Sequence, residues 1–152
     1  MISEKPVILA ARAEEEQIGR QLMVWVNKFP GTPSNIANGI IEYESLKADT
    51  VCMALSAIQG TYITRRFITG GHQAEYQFKL IYRVKPKSSA QKLDTDEVLD
   101  TFGDWAMTQK PNLGDGINVL RIEPTTRSAL FAAYDNGDED HQILMKLTYE
   151  VI

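Results

Sequence analysis

The chain has 152 residues, a length that fits one domain whose core needs no disulfide or metal, and we predict a single domain over residues 1–152. Hydrophobic residues make up 43% and charged residues 24% of the sequence, which excludes a disordered, collagen-like or coiled-coil chain. The net charge of −4 argues against a protein that coats nucleic acid, because such proteins carry a strong basic excess.

The cysteine content and the N-terminal hydropathy indicate the cellular compartment in which the chain is made. The only cysteine, Cys52, excludes an intrachain disulfide, and its place in a strand with two apolar faces predicts a buried, unreactive thiol. The apolar run over residues 7–11 ends at Arg12 and is too short for a secretion signal or a membrane span. We therefore expect synthesis in the cytoplasm and no membrane partner.

The first half of the chain predicts one helix followed by strands. Apolar residues recur at helical spacing over residues 13–29, and the prolines and glycine of residues 30–33 end this helix. Its apolar stripe consists of Ile18, Leu22, Trp25, Val26 and Phe29. Segments rich in β-branched and aromatic residues predict three antiparallel strands joined by tight turns, over residues 40–46, 50–58 and 61–68. A fourth strand alternates apolar and polar residues from Tyr76 to Val84.

The second half predicts a helix and then more strands. The helix is expected over residues 94–109, because Asp94 and Glu97 have the spacing of a capping box at a helix start. Further strands are predicted over residues 117–122, 128–134 and 142–152. The last two flank the acidic turn 135–140, where an Asn-Gly pair suits a reversal of the chain. This order predicts an α+β fold, an antiparallel sheet with two main helices packed on it.

A search for chemistry finds no recognisable constellation. The two histidines, His72 and His141, lie in or beside predicted turns with no motif around them. The acidic turn lacks the register of a calcium-binding loop, and we interpret it as a solvated hairpin tip. The glycine pairs lack the spacings of phosphate-binding loops. The sequence therefore predicts no catalytic residue, no metal site and no cofactor.

Two basic features remain. Arg83, Lys85 and Lys87 fall on one side of an extended segment, where they either form a surface for an acidic partner or DNA or merely solvate the sheet. Arg65 and Arg66 lie in the segment 64–75, which also contains apolar residues and glycines. A two-residue turn would be long enough to connect the strands on either side of it. We interpret that segment as a protruding hairpin, a common contact device between subunits.

Four short segments of the sequence resemble segments of a known protein family. They are the Trp25 stretch that ends the first helix, Tyr-Arg-Val-Lys-Pro-Lys at 82–87, Phe-Gly-Asp-Trp at 102–105 and Tyr-Asp-Asn-Gly at 134–137. Over residues 14–152 the chain resembles small phage structural proteins. More specifically, it is similar to the minor capsid or tail terminator proteins encoded between the head and tail genes of long-tailed phages of Gram-positive bacteria.

The resemblance implies a non-enzymatic protein with a tail-terminator-like α+β fold, located in the virion and assembled in the host cytoplasm. It implies a hexameric ring at the head-proximal end of the tail tube, which stops tube growth and contacts the tube protein and the head-tail connector. Ring contacts are heterologous, so Arg65, Arg66, Phe67 and His72 become candidates for the subunit interface. An acidic net charge also suits a channel through which DNA slides without sticking.

Two alternatives stay open at this point. One is another head-tail connector or tail completion protein, which also lies at the junction of head and tail but has a different role. The other is a small-molecule-binding or enzymatic α+β domain, whose pocket is assembled from residues scattered along the sequence. In that case His72 and His141 are the residues expected in the pocket.

Overall fold

The computed structural model describes residues 8–152, which form one seven-stranded sheet and two α-helices. The helices are α1 (Arg12–Val26) and α2 (Ser89–Met107). The strands are β1 (Ile8–Leu9), β2 (Glu42–Tyr43), β3 (Cys52–Arg66), β4 (His72–Val84), β5 (Ile117–Pro124), β6 (Ala129–Ala133) and β7 (Glu139–Val151). This architecture confirms the predicted α+β class.

Three long strands form the centre of the sheet, in the order β3, β4, β7. The short strands lie outside them: β1 and β2 pair with the free edge of β3, and β5 and β6 pair with the free edge of β7. All pairs are antiparallel except β2 with β3. Since β4 has long partners on both sides, its backbone hydrogen-bonding groups are satisfied along its whole length.

The core lies between one face of this sheet and the two helices. Every second residue of β4 is buried, and the buried set is Ala74, Tyr76, Phe78, Leu80 and Tyr82. The residues between them, such as Gln77 and Lys79, lie on the opposite face and are partly exposed. The alternation predicted from the sequence is therefore confirmed, because a pleated strand presents successive side chains to opposite faces.

The two helices contact each other through aromatic rings. The rings of Trp25 and Trp105 stack with their centroids 5.1 Å apart, and Phe29 meets Phe102 edge-on at 5.4 Å. Helix α1 ends at Val26, three residues before the end predicted from the sequence, so Phe29 lies outside the helix. Its side chain is nevertheless buried in the same cluster. These contacts hold α1 and α2 on the same face of the sheet.

Gly103 lets α2 approach the sheet closely. A Cβ atom at this position would lie 2.9 Å from Cδ1 of Ile143 on β7, closer than non-bonded carbon atoms approach. Phe102, its neighbour in α2, is fully buried. The glycine weakens the helix intrinsically, and the structure shows that it is needed for packing.

The prediction of two strands over residues 50–58 and 61–68 is wrong, because one strand runs from Cys52 to Arg66. The pair Gln59-Gly60, predicted to be a turn, lies where the register with β4 shifts on either side of Gln59. Register shifts of this kind are β-bulges, which bend a strand without ending it. Gln59-Gly60 therefore bends β3 and does not reverse the chain.

The strand predicted over residues 40–46 is reduced to β2, and it runs parallel to β3, not antiparallel. Asn27, just beyond α1, accounts for the late start of this strand. Its side chain accepts a hydrogen bond from the backbone N–H of Ile41 at 2.8 Å and donates one to the carbonyl of Ile41 at 3.1 Å. The backbone groups of Ile41 are thereby engaged with α1 and leave only two residues to pair with the sheet.

Helix α2 begins five residues earlier than the sequence predicted. Ser88 is the N-cap, and its hydroxyl accepts a hydrogen bond from the backbone N–H of Gln91 at 3.2 Å. The side chain of Gln91 accepts from the backbone N–H of Lys87 at 2.6 Å. Ser88 and Gln91 thus have the spacing of a capping box, and Asp94 lies inside the helix.

Replacing the cap tests this helix boundary. We expect Ser88→Ala to lower the free energy of unfolding by about 1 kcal/mol, because a backbone N–H of the first turn loses its acceptor. Asp94→Ala, at the N-cap position predicted from the sequence, should change it by less than about 0.5 kcal/mol. Chemical denaturation of both variants measures the difference, and a larger loss for Asp94→Ala would contradict the assignment.

The aromatic contact between the helices gives a second prediction. We expect Phe102→Ala to lower the free energy of unfolding by about 3–5 kcal/mol, because it empties a fully buried site between α1, α2 and the sheet. The matched control on the same helix is Leu93→Ala, since Leu93 is 69% exposed. The control should cost less than about 0.5 kcal/mol, as measured by urea unfolding.

Candidate functional site

The turn between β3 and β4 carries three of the residues predicted for the interface: Arg65 and Arg66 are exposed, and Phe67 is partly buried. We define the hairpin tip as residues 65–71. The chain reverses between Phe67 and Gly71, whose backbones are joined by a hydrogen bond of 2.8 Å. Ile68 is fully exposed, and the guanidinium of Arg65 lies over the ring of Phe67 at 5.6 Å from its centroid. The tip thus presents an apolar and aromatic surface together with positive charge.

Arg65 and Arg66 point to opposite faces of the sheet. Arg65 is paired in register with Gln73, and Arg66 with His72, so successive side chains alternate. Both arginines are exposed, and neither forms an ion pair with any residue in the range 8–152. Two unpaired guanidinium groups therefore flank the tip on either side.

His72 lies apart from the other three predicted interface residues. Its side chain is 13% exposed, and Nε2 lies 3.1 Å from the carboxylate of Glu14 at the start of α1. The hydroxyl of Tyr149 donates to the same carboxylate at 2.5 Å. Burial and this hydrogen bond raise the pKa of Tyr149, so the hydroxyl keeps its proton. His72 therefore ties the base of the hairpin to α1.

The base of the tip also contacts the C-terminal strand. A Cβ atom at Gly71 would lie 2.1 Å from the carbonyl oxygen of Val151, so only glycine fits between the tip and the end of β7. His72 is paired with Val151 in register. Of the predicted hairpin 64–75, the strand residues up to Arg66 and from His72 onward are thus held within the sheet, and only residues 67–71 extend past this pairing.

A groove of about 760 Å³ lies between α1 and the β2–β3 edge of the sheet. We call it the α1 groove. Its lining consists of Arg12, Glu15, Glu16, Gly19, Arg20, Met23, Tyr43, Ala57 and Tyr76. Part of its floor is the edge of β3: β2 pairs with Ala54 and Leu55, β1 pairs with Tyr62 and Ile63, and neither pairs with the stretch between.

The groove carries charges of both signs, because two arginines and two glutamates, Arg12, Arg20, Glu15 and Glu16, line it. Glu15 is half-buried against the backbone of Gly60 and forms no ion pair within residues 8–152, whereas Glu16 is paired with Arg12 at 3.2 Å. Burial is the main cause of a strongly raised pKa for the Tyr76 hydroxyl, and Tyr43, Glu15 and Glu44 raise it further. Burial therefore keeps this hydroxyl protonated.

The other basic residues singled out from the sequence are largely neutralised. Arg83 donates through Nε and Nη2 to both carboxylate oxygens of Asp140, at 2.7 and 2.8 Å. Its guanidinium also lies over the ring of Tyr134, whose hydroxyl donates to Asp140. Lys85 is paired with Asp49 at 2.5 Å. This part of the sheet is therefore not a free positive surface for DNA.

The acidic turn is only partly the solvated tip that the sequence suggested. Asp138 is buried, and its carboxylate accepts from the backbone N–H of Asp49 at 2.8 Å and from the amide of Asn136 at 3.0 Å. Burial alone would raise the pKa of Asp138, but these hydrogen bonds and the charges of Lys85 and Arg83 together lower it. Asp138 thus connects the β6–β7 turn to the segment before β3.

His141, the second histidine considered for a pocket, is buried between two carboxylates. Nδ1 lies 2.8 Å from Asp96 of α2, and Nε2 lies 3.2 Å from Glu139. The hydroxyl of Ser128 donates to Asp96 at 2.7 Å. The aspartate therefore lies between the serine and the histidine. A nucleophilic serine must give its proton to a histidine, and here the imidazole does not contact the serine hydroxyl.

Two further findings concern residues 8–152 only. No helix in this part of the chain is long and apolar enough to cross a membrane. No group of three or more histidine, cysteine, aspartate or glutamate side chains in it is arranged to hold a metal ion. Cys52 is buried, as the sequence predicted.

Comparison with known proteins adds one structural likeness. No family model matches the chain, and no curated protein is similar to it. Its fold is similar to that of a chain from the virion of a native gene transfer agent particle, with a TM-score of 0.60 over 88% of this chain and 97% of the other, at 11% identity. A second solved protein, which carries no descriptive name, aligns at a TM-score of 0.47 and 13% identity over 93% of this chain and 96% of its own. That second likeness is too weak to carry an argument, and the first shows the fold alone.

The buried Asp138 predicts a pH dependence of stability. Its pKa in the folded chain is below the ordinary value of 3.8, so its stabilising contribution is fully present above that value and is lost as the pH falls through the folded pKa. We expect Asp138→Asn to destabilise the protein at neutral pH, and the difference from wild type to shrink below about pH 4.

Thermal or urea unfolding between about pH 7 and about pH 3 measures this difference. The matched control is Asp115→Asn, which removes the same charge from an exposed turn. A difference between wild type and Asp138→Asn that is constant over the whole range would contradict the prediction.

Proposed function

We propose that this chain is a structural protein of a phage-type virion and that it acts as a tail terminator. The observation that carries the proposal is the fold shared with a virion chain of a gene transfer agent, 97% of which is covered by the alignment. The resemblance of the sequence to tail terminator proteins supports the same role. The chain then lies at the head-proximal end of the tail tube and stops the growth of the tube.

In this role the chain assembles as a ring, which the resemblance makes a hexamer. A closed ring built from one kind of subunit needs two unlike patches on each copy, one complementary to the other. The hairpin tip and the α1 groove are two such patches, because one protrudes with positive charge and the other is concave and holds the carboxylate of Glu15. The remaining partners are the tail tube protein and the head-tail connector, and DNA passes through the lumen.

The arrangement of the histidines argues against the enzymatic alternative. His72 and His141 each contact carboxylates from a helix, and neither lines the α1 groove. Their geometry is that of residues that tie a helix to the sheet. Replacing both with glutamine is therefore expected to lower stability without removing a ligand-binding activity.

Deleting the gene from its phage or prophage tests the proposed function. We expect the induced particles to carry tail tubes of uncontrolled length when viewed by electron microscopy, and a wild-type copy supplied in trans should restore uniform tails. Tails of normal length that fail to join filled heads would instead favour the head-tail connector or tail completion role. Intact, infectious particles would contradict both roles.

A further inference from the structure

We infer that the α1 groove receives the hairpin tip of a neighbouring copy of this chain, with one arginine of the tip paired with Glu15. This inference rests on the ring proposed above, and it names the two surfaces that meet in the ring. It adds the α1 groove, which no sequence pattern indicated, to the tip residues that the sequence singled out.

The first argument is the charge left unpaired on each side. Arg65 and Arg66 form no ion pair with any of residues 8–152, and the same is true of the half-buried Glu15. Of the other charges near the groove, Glu16 pairs with Arg12, and Glu44 accepts hydrogen bonds from Ser56 and the backbone of Ala57. Arg20 lies at the exposed rim of the groove and forms no ion pair within residues 8–152, so Glu15 is the half-buried acidic group left without a partner there. A guanidinium suits a half-buried carboxylate especially well, because it forms paired hydrogen bonds.

The second argument is the chemistry of the groove walls. Tyr43 of β2 is 49% exposed and lines one side of the groove, and Met23 of α1 lines the other. A tyrosine face and a methionine side chain offer contact to the apolar Phe67 and the fully exposed Ile68 of a tip. Interfaces between subunits are enriched in this combination of aromatic residues, methionine and arginine.

The third argument is geometric. Seven residues of extended strand, about 23 Å, separate Gly60 beside the groove from Phe67 at the tip. The tip therefore cannot fold back into the groove of its own chain. A contact between a tip and a groove on different copies is heterologous, and such contacts repeat from copy to copy until a ring closes.

A charge exchange tests the pairing. We expect Glu15→Arg alone to weaken self-association by about tenfold or more, because arginine then faces arginine, and the double variant Arg65→Glu/Arg66→Glu to do the same with acidic groups. Mixing the two proteins should restore association, since every contact between unlike copies again joins opposite charges. Analytical ultracentrifugation of the separate and mixed proteins measures this.

Matched controls are charge reversals at exposed positions away from both surfaces. Asp104→Arg on α2 and Lys110→Glu after it are exposed and should leave self-association unchanged. Circular dichroism of each variant checks that the fold is retained. A cysteine pair provides a second measurement that changes no charge: Tyr43→Cys mixed with Ile68→Cys should form a disulfide between chains, and neither protein should do so efficiently alone.

Three outcomes would overturn the inference: a wild-type chain that stays monomeric at millimolar concentration, equal weakening by the control reversals, or no restoration on mixing. If Glu15→Arg weakens binding to the tail tube protein and leaves self-association intact, the tube protein occupies the groove and the inference is also wrong. A wrong inference about the tip and the groove is distinct from a wrong proposed function, because the function is tested by the tail length after gene deletion.

Discussion

The pairing of β4 with β7 is the constraint on which the rest of the structure depends. It runs without a shift from His72 opposite Val151 to Val84 opposite Glu139, so the inward faces of the two strands form a continuous apolar surface from Ala74 with Tyr149 to Leu80 with Ile143. Both helices cover that face, and the aromatic contacts between Trp25 and Trp105 hold them side by side. A change that slipped this register by one residue would turn the buried side chains outward.

Because the core is fixed in the middle of the sheet, the surfaces proposed for assembly lie at its periphery. Residues 67–71 of the tip lie past the last pair of β3 with β4, and the α1 groove follows the part of the β3 edge that β1 and β2 leave unpaired. The polar ties are at the periphery as well. Glu14 with His72, and Asp96 with His141, fasten the helices to the ends of β4 and β7.

The sequence predicted correctly the elements whose side chains repeat with one clear period. The stripe ending in Val26 and the alternation from Tyr76 to Val84 became α1 and β4, since burial on one face imposes a period of its own. It was wrong where the outcome depended on a partner far along the chain. The turn predicted at Gln59-Gly60 is a bulge because β4 pairs on both sides of it. The start of α2 was wrong for a local reason, because two capping signals lie within a few residues and the earlier one, at Ser88, caps the helix.

For the candidate site, the sequence by itself determined which residues are unusual: the arginines, aromatic ring and glycines of the tip, together with motifs that resemble tail terminator proteins. Only the tertiary structure decided what those residues contact. It turned His72 inward to Glu14, neutralised Arg83 with Asp140, and placed Glu15 beside Tyr43 in a groove. The physical reason is that composition and local spacing fix a residue's chemistry and preferred backbone, whereas its neighbours come from strands and helices distant in the sequence.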